Sequence, residues 1–301
     1  MPAPSYSGQL AALGAATCWA FSALAFEDAA RRIGVLALNL IRLVIAFGFL
    51  GLAAWALRGL PLPVDASPRA WGWLAVSGLV GFVFGDLCLF RAYVVIGPRI
   101  STLMMALAPL LTTAIGWLVL GETLSGRDFL GMALTISGIA WAVLEWKRPA
   151  ETGERHRRPW LRGLALAFGG ALGQAAGLVL SKLGMGEYHP VAATQVRVLA
   201  GIAGYALLFF PLCWWPRLPA AMRDRRALGL AALGAFLGPF LGVSLSLFAV
   251  RHTVAGVAAS VMALQPVLIL PLVVLLRGER VGTGGVAGAL VAVAGVALLF
   301  L

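Results

Sequence analysis

Apolar residues fill long unbroken runs in this chain, and polar residues gather in short gaps between them. A helix that crosses a bilayer needs about 20 mostly apolar residues. Runs of that kind fall at 8–27, 35–57, 71–91, 99–120, 126–145, 160–182, 190–213, 227–249, 255–276 and 282–301. The pattern predicts ten helices. The longest polar gap, "EWKRPAETGERHRRPW", separates the fifth run from the sixth. It divides the chain into a first unit over 1–146, a basic linker over 147–159 and a second unit over 160–301.

The two units repeat each other. "MMALAPLLTTAIGWLVLGE" ends at Glu122, and "VMALQPVLILPLVVLLRGE" ends at Glu279. At the same spacing Gly81 and Gly85 fall on Gly238 and Gly242, Pro109 on Pro266, and Gly138 on Gly295. At a slightly shorter spacing Gly14 falls on Gly169, Trp19 on Gln174 and Arg42 on Arg197. Glycine matches carry little weight in a chain with 37 glycines. Pro, Glu and Arg matching in one order carry much more. Five is odd, so a second unit folded like the first must enter the membrane from the opposite face. The expected fold is therefore an all-α integral membrane protein, ten transmembrane helices arranged as two inverted five-helix repeats around a central cavity.

Composition agrees with lipid as part of the solvent. The chain is 61% hydrophobic and 12% charged, against about 25% charged in ordinary soluble domains. Its net charge of +11 could suggest nucleic acid, but the Lys and Arg residues occupy gaps between apolar runs, as orientation signals do. Nucleic acid is excluded as a partner on that ground. Arg58, Arg69, Arg127, Lys182 and Arg251 lie on the side of the termini, and the rest, Arg42 and Arg197 apart, lie on the side of the linker. That bias places both termini outside the cytoplasm. The opening "MPAPSYSGQL" has no positive residue before its apolar run, so a retained helix is expected rather than a signal peptide. Cys18, Cys88 and Cys213 all fall within apolar runs, and their spacing fits neither a disulfide framework nor a metal site. No metal and no cofactor is expected.

A few residues break the apolar pattern at depth. Pro109 and Pro266 sit within the fourth and ninth runs, where each removes a backbone donor and bends its helix, as a hinge or beside a cavity. Arg42, Asp86 and Arg197 are deep charges, and such groups face partners or water. By depth Arg42 can pair with Asp86, Arg197 with Glu122, and Glu279 is a second candidate for Arg42. Ion pairing or gating is one role for them, direct handling of solute or protons the other. Trp19, Gln174 and Gln265, with the hydroxyls of Thr17, Ser22 and Ser244, either line a pocket that is mostly apolar with a few directional contacts or bond between helices.

Ten runs in two units, the "MALAPLLTTAIGWLVLGE" and "MALQPVLILPLVVLLRGE" phrases and the short basic linker resemble the drug/metabolite transporter superfamily, EamA type, over essentially the whole chain. Within it the chain looks most like bacterial YddG-type exporters of amino acids. The resemblance implies a carrier in the bacterial inner membrane, with the first four helices of each unit around the path and the fifth peripheral. Pro109 and Pro266 would then lie at the cavity. Trp19, Phe82, Tyr93, Phe240, Met104 and Met262 would offer apolar or aromatic surface to the solute, and Ser22, Gln174, Ser244 and Gln265 would hydrogen-bond to it.

Four-helix multidrug members of the superfamily carry a glutamate on the first helix. Here Thr17, Cys18 and Trp19 stand at mid-span, with no carboxylate. The expectation is accordingly an exporter of small metabolites, chiefly amino acids with aromatic or other apolar or neutral side chains, working by alternating access. The alternative is proton-coupled efflux of drugs or cations through Asp86. The expected partners are a small solute and the lipid bilayer, with a monomer as the working assumption. An enzyme is not expected: "GVSLS" with His252 lacks a third, orienting group.

Overall fold

The computed structural model describes residues 6–105, 107–145, 157–265, 267–268, 275 and 282–298, and every regular element among them is helical. Helix α1 (Ser7–Ile33) passes to α2 (Val35–Arg58) through Gly34 alone, at φ 81°. A one-residue reversal of this kind needs a residue without a Cβ. Ser67 caps α3 (Pro68–Gly78), its hydroxyl accepting from the Ala70 N–H at 3.2 Å with Pro68 at the first turn. The same helix continues through a π-helical turn (Leu79–Gly85) into α4 (Asp86–Met105). Helix α5 (Ala108–Leu120) stops at Gly121, φ 66°. A reciprocal cap starts α6 (Gly126–Glu145): Ser125 N donates to Asp128 Oδ2 at 2.9 Å, and Asp128 N donates to Ser125 Oγ at 3.2 Å.

The second unit repeats this order. Helix α7 (Arg157–Met185) leads to α8 (Pro190–Phe209), then to a 3₁₀ turn (Trp215–Arg217) and the short α9 (Leu218–Ala221). Helix α10 (Arg225–Ala235), capped by Asp224, continues through a second π turn (Phe236–Gly242) into α11 (Val243–His252). Helix α12 (Ala255–Met262) and α13 (Thr283–Leu298) complete the described elements.

Among the described residues six helical stretches are long and apolar enough to cross a bilayer: Ser7–Ile33, Val35–Arg58, Pro68–Ala92, Trp160–Met185, Pro190–Phe209 and Arg225–His252. Ala108–Leu120 and Thr283–Leu298 are shorter apolar helices. Two expectations need correction. The gap expected between the third and fourth runs is helical, because helix continues from Pro68 to Met105. The residues between those runs, "AYVVIGP", are themselves mostly apolar, and Gly97-Pro98 does not end the helix. The break comes at Leu107, just ahead of Pro109, which occupies the first turn of α5 and interrupts the fourth run outright. Proline fits a first turn, where its missing N–H leaves no gap in the ladder.

The second unit breaks at the matching place. Leu107 N donates to Met104 O, and Leu264 N donates to Val261 O, both at 3.1 Å. The duplicated Met-Ala-Leu-x-Pro phrase thus carries the same short turn twice. Pro266 itself lies outside the described residues.

Glycine contacts fix how the helices run. A Cβ added at Gly163, Gly170, Gly173 or Gly184 would meet Ile96, Leu89, Gly85 or Trp73 respectively, so α7 is antiparallel to α3–α4. Gly14 likewise faces Leu245, while Gly238 and Gly234 face Ser22 and Phe26, so α1 is antiparallel to α10–α11. Gly8 at the start of α1 packs on Thr253, and Lys182 near the end of α7 donates to the Thr253 carbonyl at 2.6 Å. The equivalent helices α1 and α7 therefore run in opposite directions. Helices α6 and α13 pack on each other: Gly138 against Ala292, and Gly295 against Thr135.

Candidate functional site

Both π turns lie where a helix of the other unit packs close, α7 on the first and α1 on the second. A Cβ at Gly173 would come within 2.6 Å of Gly85 Cα, and one at Gly177 within 3.1 Å of Gly81 Cα. In the second unit the indole nitrogen of Trp19 occupies the space a Cβ at Gly242 would need. Such turns widen the helix locally and recur at functional sites. The first turn delivers Asp86 at its end, into the middle of the packed helices.

Asp86 forms a buried ion pair with Arg42 of α2; the two residues are 7% and 5% exposed. The carboxylate's other oxygen, Oδ1, accepts from Gln174 Nε2 of α7 at 2.7 Å. Arg42 also lies 5.1 Å from the Phe26 ring centre and 5.2 Å from that of Phe90. One acid thus links α2, α4 and α7, and two rings cover its cation.

Arg197 occupies the matching position on α8. It is 5% exposed, its guanidinium stands 5.1 Å from the Phe82 ring centre, and its Nε has no partner. The expected pairing with Glu122 does not occur. Glu122 Oε1 pairs with Lys182 Nζ at 2.5 Å, and its Oε2 accepts from Ala255 N at 3.0 Å. Depth along a helix places two residues at one level without saying which side of the bundle each occupies. In the sequence Lys182 carries the pattern of an orientation signal, and nothing there marks it as the partner.

Trp19 is half-buried, and its carbonyl accepts from Ser22 Oγ at 3.1 Å and from Gln265 Nε2 at 3.3 Å. The two amides predicted for the pocket are therefore used between helices: Gln265 on Trp19, Gln174 on Asp86. Thr17 is exposed and bonds to the Leu13 carbonyl of its own helix at 2.9 Å, so it leaves the group. Phe82 is buried, and its carbonyl accepts from Tyr205 OH at 2.8 Å. Met104 is half-buried and Met262 buried. Glu279 and the Tyr93 side chain lie outside the described residues.

Phe240 and Ser244 line a cavity of about 440 Å³ among α2, α8 and α11, with His189, Arg251 and Phe248 also on its wall. Phe240 packs with Phe49 and Phe236, ring centres 5.9 and 5.3 Å away. Ser244 Oγ donates to Thr194 Oγ1 at 3.4 Å. The predicted residues therefore fall into two groups. Trp19, Ser22 and Gln265 gather with Gln174, Asp86, Arg42, Phe82 and Arg197 around the two π turns, while Phe240 and Ser244 face the cavity toward the start of α8. Tyr188 and Arg58 stand next in the chain to the lining residues His189 and Leu57; the Tyr188 phenol donates to Asp65 Oδ1 at 2.8 Å, and Asp65 pairs with Arg58. Burial and that bond to Asp65 push the phenol up to about 12.

Among the described residues no three His, Cys, Asp or Glu side chains are grouped as a metal would require. Helices interrupted at corresponding places in two oppositely directed units are a design of secondary transporters, which bind solutes where such helices break.

The EamA-like transporter family matches this chain twice, over residues 6–144 and 161–301. The chain belongs to that family and is a multi-pass membrane protein of the transporter class. A crystal structure of a protein 22% identical in sequence superimposes with a TM-score of 0.72, over 98% of this chain and 96% of its own. At that identity the likeness concerns the fold alone. No curated protein matches.

Proposed function

We propose that the protein is a secondary carrier that exports small metabolites, foremost amino acids with aromatic or other apolar side chains, across the bacterial inner membrane by alternating access. In this reading the chain crosses the bilayer ten times, with both termini periplasmic, and residues 1–146 and 160–301 are the two rocking units. The observation that carries it is the matched break at Leu107 and Leu264 in units of opposite direction. Trp19, Phe82, Phe240, Met104 and Met262, with Tyr93, supply apolar surface, and Ser22, Gln174, Ser244 and Gln265 supply directional bonds. Pro109 and Pro266 mark the hinges, and Arg42, Asp86, Arg197, Glu122 and Glu279 the charges that hold or release each state.

The engagement of Asp86 weighs against drug efflux coupled to protons. One of its oxygens is held by Arg42 and the other by Gln174, so protonation would break a buried pair. Counterflow of labelled amino acids in proteoliposomes tests the reading. Uptake above that of empty vesicles for at least one aromatic or aliphatic amino acid is the expected result. Counterflow of lipophilic cations with no amino acid moved would reject it.

A further inference from the structure

The duplicated arginines stand in unequal surroundings. Arg42 and Arg197 hold corresponding places on α2 and α8, both are buried, and one carboxylate, Asp86, lies within electrostatic reach of both. Asp86 is fully engaged elsewhere, one oxygen on Arg42 and the other on Gln174. The residue that corresponds to Asp86 in the second unit is Val243, a buried hydrocarbon. No acid among the described residues pairs with Arg197. The cluster therefore holds one guanidinium more than it has carboxylates. Burying a charge without a partner is costly, and the usual outcome is pairing or contact with water or a solute.

The groups that bound Arg197 are flat or small. Its guanidinium stacks on Phe82, and Gly81 keeps the facing backbone bare: a Cβ there would stand 3.1 Å from a guanidinium nitrogen. A guanidinium presents its N–H donors in a fork that matches a carboxylate. The first unit already displays the completed arrangement, with a carboxylate on Arg42 and aromatic rings over it.

Resting on the carrier reading above, we infer that Arg197 is the subsite for the carboxylate of the transported solute. The substrate class narrows accordingly to molecules bearing a free carboxylate, amino acids or simple carboxylic acids. Amines and esters of the same carbon skeleton are excluded. The side chain of the solute would extend along Phe82 toward Trp19.

The test uses the purified full-length protein and thermal unfolding with three matched probes: L-phenylalanine, its methyl ester, and 3-phenylpropionate. The expected result is stabilisation by the two carboxylates and none by the ester. R197Q should lower the apparent affinity for both carboxylates by about tenfold or more, as loss of a charge-assisted bond does, with R197K in between. Without ligand, R197Q should melt at or above the wild-type temperature, because it removes an unpaired buried charge. A purely structural arginine would instead lower that temperature. Stabilisation by the ester equal to that by the acid, or unchanged carboxylate affinity in R197Q, overturns the inference while leaving a carrier intact. Failure of both carboxylates to stabilise the wild type overturns it too. Counterflow of amines in place of amino acids would take down the amino-acid reading with it.

Discussion

Glu122 of the first unit and Lys182 of the second meet at 2.5 Å, and the same carboxylate accepts from Ala255 N at the start of α12. The Gly-Glu that closes the first copy of the phrase is thus a clasp between units. Lys182 extends it by donating to the Thr253 carbonyl at 2.6 Å. Glu122→Gln and Lys182→Met should each lower thermal stability in detergent. A double-mutant cycle should return a coupling of about 1 kcal/mol or more, in the range for contacting, partly buried groups. Additive effects would mean that the contact holds nothing.

Asp86→Asn should destabilise by about 3–5 kcal/mol, since it strands Arg42 without its counter-charge in a buried site. Replacing both members together, Arg42→Met with Asp86→Leu, should recover most of that loss. Chemical denaturation of the three variants checks the order. Proton-driven efflux that is abolished in a well-folded Asp86→Asn protein would favour the drug-efflux alternative.

Helix spacing at the first π turn tolerates no side chain on α7. Gly173→Ala should cost about 1–3 kcal/mol, the usual range for overpacking, because the new methyl would meet the Gly85 backbone. Gly229→Ala is the control: nothing lies within 4 Å of a Cβ at Gly229, and the position is helical. Alanine there should be neutral or slightly stabilising. Melting temperatures of the pair decide it.

His189 caps α8 with its ring, Nδ1 accepting from Val191 N at 3.3 Å. Burial, and after it the charges of Arg58 and Arg251, hold its pKa below the ordinary 6.5. The neutral ring is the form the fold prefers. Below about 6.5 the unfolded chain binds a proton that the folded chain resists, so this contribution is present above that pH and is lost as pH falls through it. Thermal melts between about pH 8 and pH 5 should fall more steeply for the wild type than for His189→Asn, which keeps a capping oxygen without the titration.

Much of the architecture is legible in residue order, because spanning helices and a repeated phrase are properties of local sequence. Opposite direction follows from counting five runs per unit, and it is found where Gly8 and Lys182 both meet Thr253. The Arg42–Asp86 pair is legible because both are rare deep charges at one level. Arg197 is not assigned correctly by the same reasoning, since level alone cannot tell that Lys182 stands nearer to Glu122. Apolar runs also misplace the third break: hydropathy registers solvent, whereas α4 and α5 separate where a proline begins a new turn. The π turns coincide with glycines that the sequence marks only as close-packing positions.

The contact between α6 and α13 is self-complementary. Gly138 meets Ala292 while Gly295 meets Thr135, and these are the same two positions of the repeat with their roles exchanged. A face that accepts its own image is what a twofold homodimer requires. Two separate half-length chains bearing this surface could therefore mate as twins, and the linker over 147–159 makes such a couple permanent.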